Sequence, residues 1–379
     1  MIRSFKIRLY PTKEQERLMW KHIGACRYVY NYMLEKQKEL YSSKRKHLSQ
    51  FDMIRLLTPL KNDGEHAWLY EVSCASLQRI CGDVDKAYRM FFKKKAGFPK
   101  FKSRKRNKIN FPIDFTKLWF DESCFSHISK FGKIKFKTDF NLPIGKGYKF
   151  INPIISNVNN KWILSFGMEC ESQVFSLNDY NVGIDLGIKD SAIVAYNDKK
   201  LVFKNINKSK KIRMYEEQIR HTQRSISRKY EANKKGSKYV KTKNIEKEED
   251  KLRKLYARIS NIRDNYIHQS TRKIISLLPK KIIMEDLNIV GMMKNKHLSK
   301  AIQDQCLSEW IRQIKYKSEW MSIEFIQVDR FFPSSKTCHS CGCINHNLKL
   351  KDRTFVCPDC GYTEDRDYNA ALNLMSYED

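Results

Sequence analysis

Four cysteines and three acids carry most of the chemistry available to this chain of 379 residues. The cysteines stand as "CHSC" at 338–341 and "CPDC" at 357–360, with fifteen residues between the pairs. Two C-x-x-C knuckles at that distance can offer four thiolates to one tetrahedral zinc, each pair gripping one side of the ion. Cys343, His339 and His346 lie close enough that spacing alone leaves open a substitution at one ligand position. With Cys338, Cys341, Cys357 and Cys360 as ligands the ion keeps no open position, so its expected role is structural. The acids sit in apolar surroundings. "VGIDLGIKDSAIVAY" (182–196) reads as a buried strand with Asp185 two residues before a glycine, and "KKIIMEDLNI" (280–289) as a second strand with Glu285 towards its end. "TEDRDYNAALNLM" (363–375) places acids at the start of an alanine-containing helix. Singly, each acid is an edge residue or a turn former. Together, at the ends of separate elements, they can hold two Mg²⁺ ions a few Å apart for phosphodiester chemistry, and without such cations their burial would be costly. Two candidates compete for the third place. On a helix, Asp367, Ala370, Ala371 and Leu374 share one face, whereas Asp365 lies about 200° round the axis and suits an N-terminal cap.

What such a site would act on follows from charge. Lys and Arg outnumber Asp and Glu by 73 to 42, a net charge of +31, and an excess of that size calls for an anionic polymer as partner. Nucleic acid leads. A membrane is the rival, but "MIRSFKIRLYP" has charges where a signal peptide needs its apolar run, and no stretch approaches 18 uncharged apolar residues. A cytoplasmic protein, nucleoid-associated when on DNA, is therefore expected. In a reducing compartment the scattered Cys26, Cys74, Cys81, Cys124, Cys170 and Cys306 read as small core hydrophobes.

Several elements must position these groups. A 41% hydrophobic content supports real cores, and the length suggests two or three domains. Helical spacing runs through 12–47 and 66–95. "KKKAGFPKFKSRKRNK" (93–108) then offers Lys93, Lys94, Lys95, Lys100, Lys102, Arg104, Lys105, Arg106 and Lys108, interleaved with Phe98 and Phe101, as a phosphate-backbone contact. From 109 to 176 short alternating runs punctuated by Gly, Pro and Asn-Asn predict a small β-barrel or sheet. Residues Ile212 to Tyr230 and Leu252 to Tyr266 follow a 3–4 spacing on either side of "NKKGSKYVKTKN", which predicts an antiparallel helical hairpin with a positive tip near Lys234 to Lys243.

These stretches, in this order, resemble the transposon-encoded OrfB/TnpB family, compact RNA-guided DNA endonucleases related to type V CRISPR effectors. The resemblance spans essentially the whole chain and rests on "RLYPTKEQE", "GACRYVYNYML", "GFPKFKSRKR", "GIDLGIKDSAI", "IIMEDLNI", "SSKTCHSCG" and "CPDCGYTEDRDYNAALNL". It implies an α/β multi-domain protein: an RNase H-like (RuvC) nuclease over 179–336 and 362–379, interrupted by a zinc ribbon at 337–361. It also implies a wedge-like β-barrel from 1–10 and 100–178, with a helical recognition insertion at 11–99. By the same resemblance Asp185, Glu285 and Asp367 are the catalytic acids, holding two Mg²⁺ or Mn²⁺. The partners are a structured guide RNA from the element and a double-stranded DNA target beside a short adjacent motif. The sequence stops six residues after Asn373, so a longer tail seen in relatives is expected to be missing, without effect on cleavage. Two other functions share parts of this pattern. A cleavage-silent RNA-guided regulator would be expected to lack acids, and all three are present; a transposase doing strand transfer also uses three acids and two metals.

Overall fold

The computed structural model describes residues 1–44, 47–104, 108–138, 140–171, 175–349 and 351–378. Contacts divide the chain into two units, Met1–Glu171 and Ser172–Asp379.

In the first unit, Phe5, Ile7 and Leu9 alternate with polar residues along β1 (Ile2–Tyr10) and turn towards one core. Helices α1 (Lys13–Lys44), α2 (Gln50–Asn62) and α3 (Cys74–Phe92) follow, and their inner faces, with Met19, Val29, Met53, Leu77 and Val84 buried, belong to the same core. Sequence periodicity passes over α2, although a capping box announces it: the Ser49 hydroxyl accepts from Asp52 N while the Asp52 carboxylate accepts from Ser49 N. Pro59 inside that helix weakens its helical signal. The expected helix over 66–95 begins later, as α3, after a short 3₁₀ turn at Ala67–Glu71.

The remaining strands are β2 (Asn110–Pro112), β3 (Leu118–Phe120), β4 (Phe125–Ile128), β5 (Gly132–Lys137), β6 (Phe150–Val158) and β7 (Lys161–Glu169). With β1 they form one antiparallel sheet in the order β2-β6-β7-β1-β5-β4-β3. The first strand of the chain therefore lies in the middle of its sheet, paired from Ile2↔Glu169 to Leu9↔Trp162 with β7.

The second unit opens with β8 (Asn178–Asp185), β9 (Asp190–Tyr196) and β10 (Lys199–Lys204). Here the single strand expected over 182–196 is corrected. Leu186 to Lys189 reverse the chain, so β8 and β9 form an antiparallel hairpin and Asp185 ends a strand instead of interrupting one. The long helices α4 (Lys210–Ala232) and α5 (Lys243–Ile275) flank a two-stranded tip, β11 (Lys234–Lys235) and β12 (Lys238–Tyr239), and bury Ile212, Ile219, Leu255 and Ile259 against each other. Next come β13 (Pro279–Glu285), α6 (Ile289–Met292), α7 (Ser299–Gln305), α8 (Leu307–Trp320), β14 (Glu324–Val328), the strand pair β15 (Thr354–Val356) and β16 (Thr363–Asp365), and α9 (Arg366–Met375).

The main sheet runs β10-β9-β8-β13-β14, with β13 parallel to both β8 and β14. Only β9 points the other way. Both faces are covered, which is why its strands read as near-continuous apolar runs. Ile184, Val194, Ile282 and Met284 meet Ile267, Ile274, Trp310 and Ile314 of α5 and α8 on one side. On the other, Ile193, Ala195, Ile283 and Val328 meet Ala371, Leu372 and Leu374 of α9.

The scattered cysteines need a second correction. Cys26 and Cys81 are buried, but Cys74 and Cys124 are exposed and Cys170 and Cys306 half-buried. Cys74 begins a helix, and Cys124 occupies a turn at φ +59°, so neither faces a core. Among the described residues no helix is long and apolar enough to cross a membrane.

Candidate active site and metal centre

Parallel pairing places two acids side by side. Ile184 is opposite Met284 in the β8–β13 ladder, so the next residues, Asp185 and Glu285, end neighbouring parallel strands at the same edge. That is the edge where open α/β sheets gather their sites. The third acid comes from the first turn of α9, where Asp367 is half-buried. Ala370, Ala371 and Leu374 are buried below it, which lets the helix lie close on the strands.

The closeness has a specific cause at Gly183. A Cβ there would sit 2.0 Å from the carbonyl oxygen of Ala371 and 2.4 Å from the amide nitrogen of Met375. Only glycine permits that backbone approach. Asn181 Nδ2 adds a bond of 3.4 Å to Met375 O. Asp365 is the N-cap of α9, its carboxylate accepting from Tyr368 N at 3.1 Å.

The three acids feel one another. Asp185 keeps some solvent access, yet the density of protein round its carboxyl, and then the charges of Glu285 and Asp367, push its pKa up to about 8. The carboxylate oxygens of the three do not all lie within 4.8 Å of one another, but charges coupled in this way ionise together more readily when a cation compensates them. The donor set is carboxylate oxygen at a partly open edge, which suits Mg²⁺ or Mn²⁺. Asp367 already has cationic company: Arg366 donates to its Oδ1 from Nε at 3.2 Å and Nη2 at 3.1 Å, and Arg353 Nη1 lies 3.8 Å from Oδ2. Glu285 accepts from the hydroxyl of Ser334, a residue that is 1% exposed. The neighbouring Asp286 is taken by Arg330 at 2.6 Å.

Between β14 and α9 the chain makes the four-cysteine centre. The sulfurs of Cys338, Cys341, Cys357 and Cys360 all lie within 4.8 Å of one another, and among the described residues no other His, Cys, Asp and Glu side chains form such a group. The set leaves out Cys343, His339 and His346. The four thiols share their protons unequally: backbone N–H groups of Cys360 and Asp359 pull Cys357 down, while burial raises Cys338 and hydrogen bonding to its neighbours raises Cys341, so a first thiolate forms on Cys357. The geometry and donors fit a tetrahedral soft-ligand ion.

The predicted basic contacts are dispersed. Lys93, Lys94, Lys95, Lys100, Arg104 and Lys108 are exposed, whereas Lys105 and Arg106 lie outside the described residues. Lys102 is half-buried with Nζ 3.7 Å from the centroid of the Tyr30 ring, and burial lowers its pKa. With Arg27, Arg79, Arg104 and Lys108 it lines a cavity of about 600 Å³ in which Asp83 is the one acid among the described residues. Sequence reasoning missed Arg27 and Arg79 because they belong to helices separated in sequence from the basic run. It also missed a stripe on α4, where exposed Arg220, Arg224 and Arg228 repeat at four-residue intervals, a spacing legible as one helix face.

A carboxylate edge on a mostly parallel sheet, followed by a four-thiol ribbon, offers two donor sets of different chemistry, oxygen and sulfur. Three family models match parts of the chain. Residues 1–46 match the "Helix-turn-helix domain" of OrfB from IS605, 171–296 the OrfB "Probable transposase", and 308–374 the "Cas12f1-like, TNB domain". Over 1–44 the fold is a strand and one continuous helix instead of a helix-turn-helix. A protein of Streptomyces pristinaespiralis with the provisional name RNA-guided DNA endonuclease is 29% identical over 376 residues, 99% of this chain and 89% of that relative. InsQ of Escherichia coli K12, with the same provisional name, is 28% identical over 99% of this chain and 92% of its own length. A solved structure of CasPhi-2 (Cas12j) bound to crRNA aligns with a TM-score of 0.48 and 12% identity, covering 99% of this chain and 97% of the other. Two OrfB models and relatives matched over 99% of the chain make it similar to the OrfB/TnpB proteins from end to end.

Proposed function

We propose that this protein is an RNA-guided endonuclease of a transposable element, cutting double-stranded DNA beside a short adjacent motif by two-metal hydrolysis at Asp185, Glu285 and Asp367. The observation that carries the reading is the meeting of two acids at the ends of parallel strands with a third on the helix packed across them. Support for an RNase H-like (RuvC) core comes from the strand order 3-2-1-4-5 in chain sequence, with the second strand alone reversed. In the first unit we read the antiparallel sheet as the wedge barrel and α1 to α3 as the recognition insertion. When bound, two Mg²⁺ ions would activate water and stabilise the leaving oxygen of the phosphodiester. The chain's own contribution is to hold three carboxylates at one edge and to keep Asp367 anchored by Arg366. Cys338, Cys341, Cys357 and Cys360 are proposed to bind one structural Zn²⁺. The exposed lysines of 93–108, the cavity arginines and the α4 stripe supply the electrostatic footprint for guide RNA and target.

The test is to purify the protein expressed with its own locus, sequence the RNA that accompanies it, and challenge the complex with guide-matched duplex DNA. A defined RNA, cutting in Mg²⁺ and none in excess EDTA, with one zinc per chain by metal analysis, is expected. Binding of element ends without RNA would overturn guidance in favour of strand-transfer chemistry, and undiminished cutting in EDTA would overturn the two-metal site.

A further inference from the structure

The three acids are held in different ways. Asp367 has two arginines, while Glu285 has one side-chain partner among the described residues, the hydroxyl of Ser334. Ser334 lies in the turn between β14 and Cys338, closed by Lys336 N and Thr337 N donating to Pro333 O. A buried serine in such a turn could spend its hydroxyl on nearby backbone carbonyls, as Thr337 does on Pro333 O at 2.9 Å. It donates instead to a carboxylate 49 residues earlier in the chain.

The turn is itself gripped from α9. Asn373 Nδ2 donates to Ser334 O and to Thr337 O, each at 2.7 Å, and Asn369 Nδ2 donates to Thr337 O at 2.7 Å. Asn369 Oδ1 accepts from His339 N at 3.1 Å, beside the first zinc-ligand candidate. These asparagines are four residues apart on an otherwise apolar buried face, and burying them is costly unless every amide group is used. The same helix carries Asp367 on its first turn. One element thus places one acid directly and a second through a serine.

From this geometry we infer that Ser334 is a positioning residue for Glu285, fixing one carboxylate oxygen so that the other faces the metal edge, and that the Asn369–Asn373 clamp sets Ser334 relative to Asp367. The inference rests on the proposed role of the acids. A charge-assisted bond from a fixed hydroxyl stabilises the ionised carboxylate and removes rotamer freedom that metal binding would otherwise have to remove. Without it Glu285 is still present but unanchored, so the loss should appear in metal affinity before it appears in the maximal rate.

The experiment compares Ser334→Ala, Ser334→Thr and Glu285→Ala with the parent, as guide-loaded full chains. Two quantities are read: the Mg²⁺ concentration for half-maximal DNA cutting, and the Mn²⁺ concentration for half-maximal thermal stabilisation, which requires no cutting. Loss of an outer-shell partner is worth about 10- to 100-fold in metal affinity or activity. Ser334→Ala is expected to raise both midpoints about 10-fold, with cutting recovered at high metal, and Ser334→Thr to restore both towards the parent, while zinc content and RNA retention stay unchanged in both. Unshifted midpoints for Ser334→Ala beside a dead Glu285→Ala overturn the positioning role alone. Zinc loss in Ser334→Ala and Ser334→Thr alike also overturns it, making the residue part of the ribbon's fold only. Glu285→Ala that cuts like the parent overturns the acid trio, and Ser334's role falls with it.

Discussion

Replacing Gly183 with alanine tests whether the close approach of α9 is what completes the site. The new methyl would lie 2.0 Å from Ala371 O and 2.4 Å from Met375 N, both backbone atoms of the helix. Ordinary contact between such atoms begins near 3.5 Å, so α9 must retreat by roughly 1 to 1.5 Å or β8 must bow away. Overpacking of this kind costs about 1–3 kcal/mol, and in a unit of this size each kcal/mol lowers Tm by about 2–4 °C. The displaced helix carries Asp367, and a misplacement of about 1 Å can cost about 100-fold in rate. Cutting should therefore fall about 100-fold at a temperature where the variant is still folded, with guide RNA retained. Thermal unfolding and single-turnover cleavage, run on the same preparation, decide it. Cutting at the parental rate with an unchanged Tm would show that the helix does not seat Asp367 through this contact.

Three further outcomes follow from the same geometry. Asp367→Ala should abolish cutting while RNA binding stays near normal, whereas Asp365→Ala, which removes only the cap to Tyr368 N, should cost about 1 kcal/mol of stability and little activity; the reverse ranking in parallel cleavage assays would exchange their roles. Asp185 holds its proton up to about pH 8 in the metal-free protein and only to its ordinary value when unfolded, so without metal its ionisation should make the fold progressively less stable from about pH 4 to 8. Mg²⁺, binding the ionised trio, should then raise Tm more at pH 8 than at pH 6, and Asp185→Asn should flatten that difference. Replacing Lys93, Lys94, Lys95, Lys100 and Lys108 with glutamine should weaken RNA or DNA binding and reduce its salt slope without unfolding the protein, while Lys102→Gln, which loses the Tyr30 contact, should also lower Tm; an unchanged slope would return these lysines to a solvated surface.

Much of the site is visible in sequence because its signals are local. Each C-x-x-C knuckle is short, and the phase that separates Asp365 from Asp367 needs only the helical step; the former caps α9 and the latter stands above the buried alanines. What escaped depends on neighbours distant in the chain. Ser334 looks like any serine before a cysteine until β13 brings Glu285 beside it, and Arg27 and Arg79 join Lys102 only when α1 and α3 pack. Two signals were present but went unread. Gly183 inside an apolar strand marks a close backbone approach, and Asn369 with Asn373 on an apolar helix face marks a buried polar clamp. The break at Leu186 to Lys189 was hidden because both strands of the hairpin are buried on two faces, so neither shows the alternation that would have separated them.

The position of β1 has a consequence for how the protein is made. Its neighbours β5 and β7 are synthesised more than a hundred residues later, with α1 to α3 emerging in between. At about 5–20 residues per second on the ribosome, the first strand waits on the order of ten seconds with both hydrogen-bonding edges unpaired. Local helix formation is far faster than that, so α1 to α3 can gather while the sheet still lacks its partners. Closing a sheet round its earliest strand is a long-range event that makes folding slow and leaves an adhesive edge open meanwhile. Lys6 and Arg8, on the face of β1 opposite Phe5, Ile7 and Leu9, put positive charge beside that waiting edge, where it opposes pairing with a second nascent copy of the same strand.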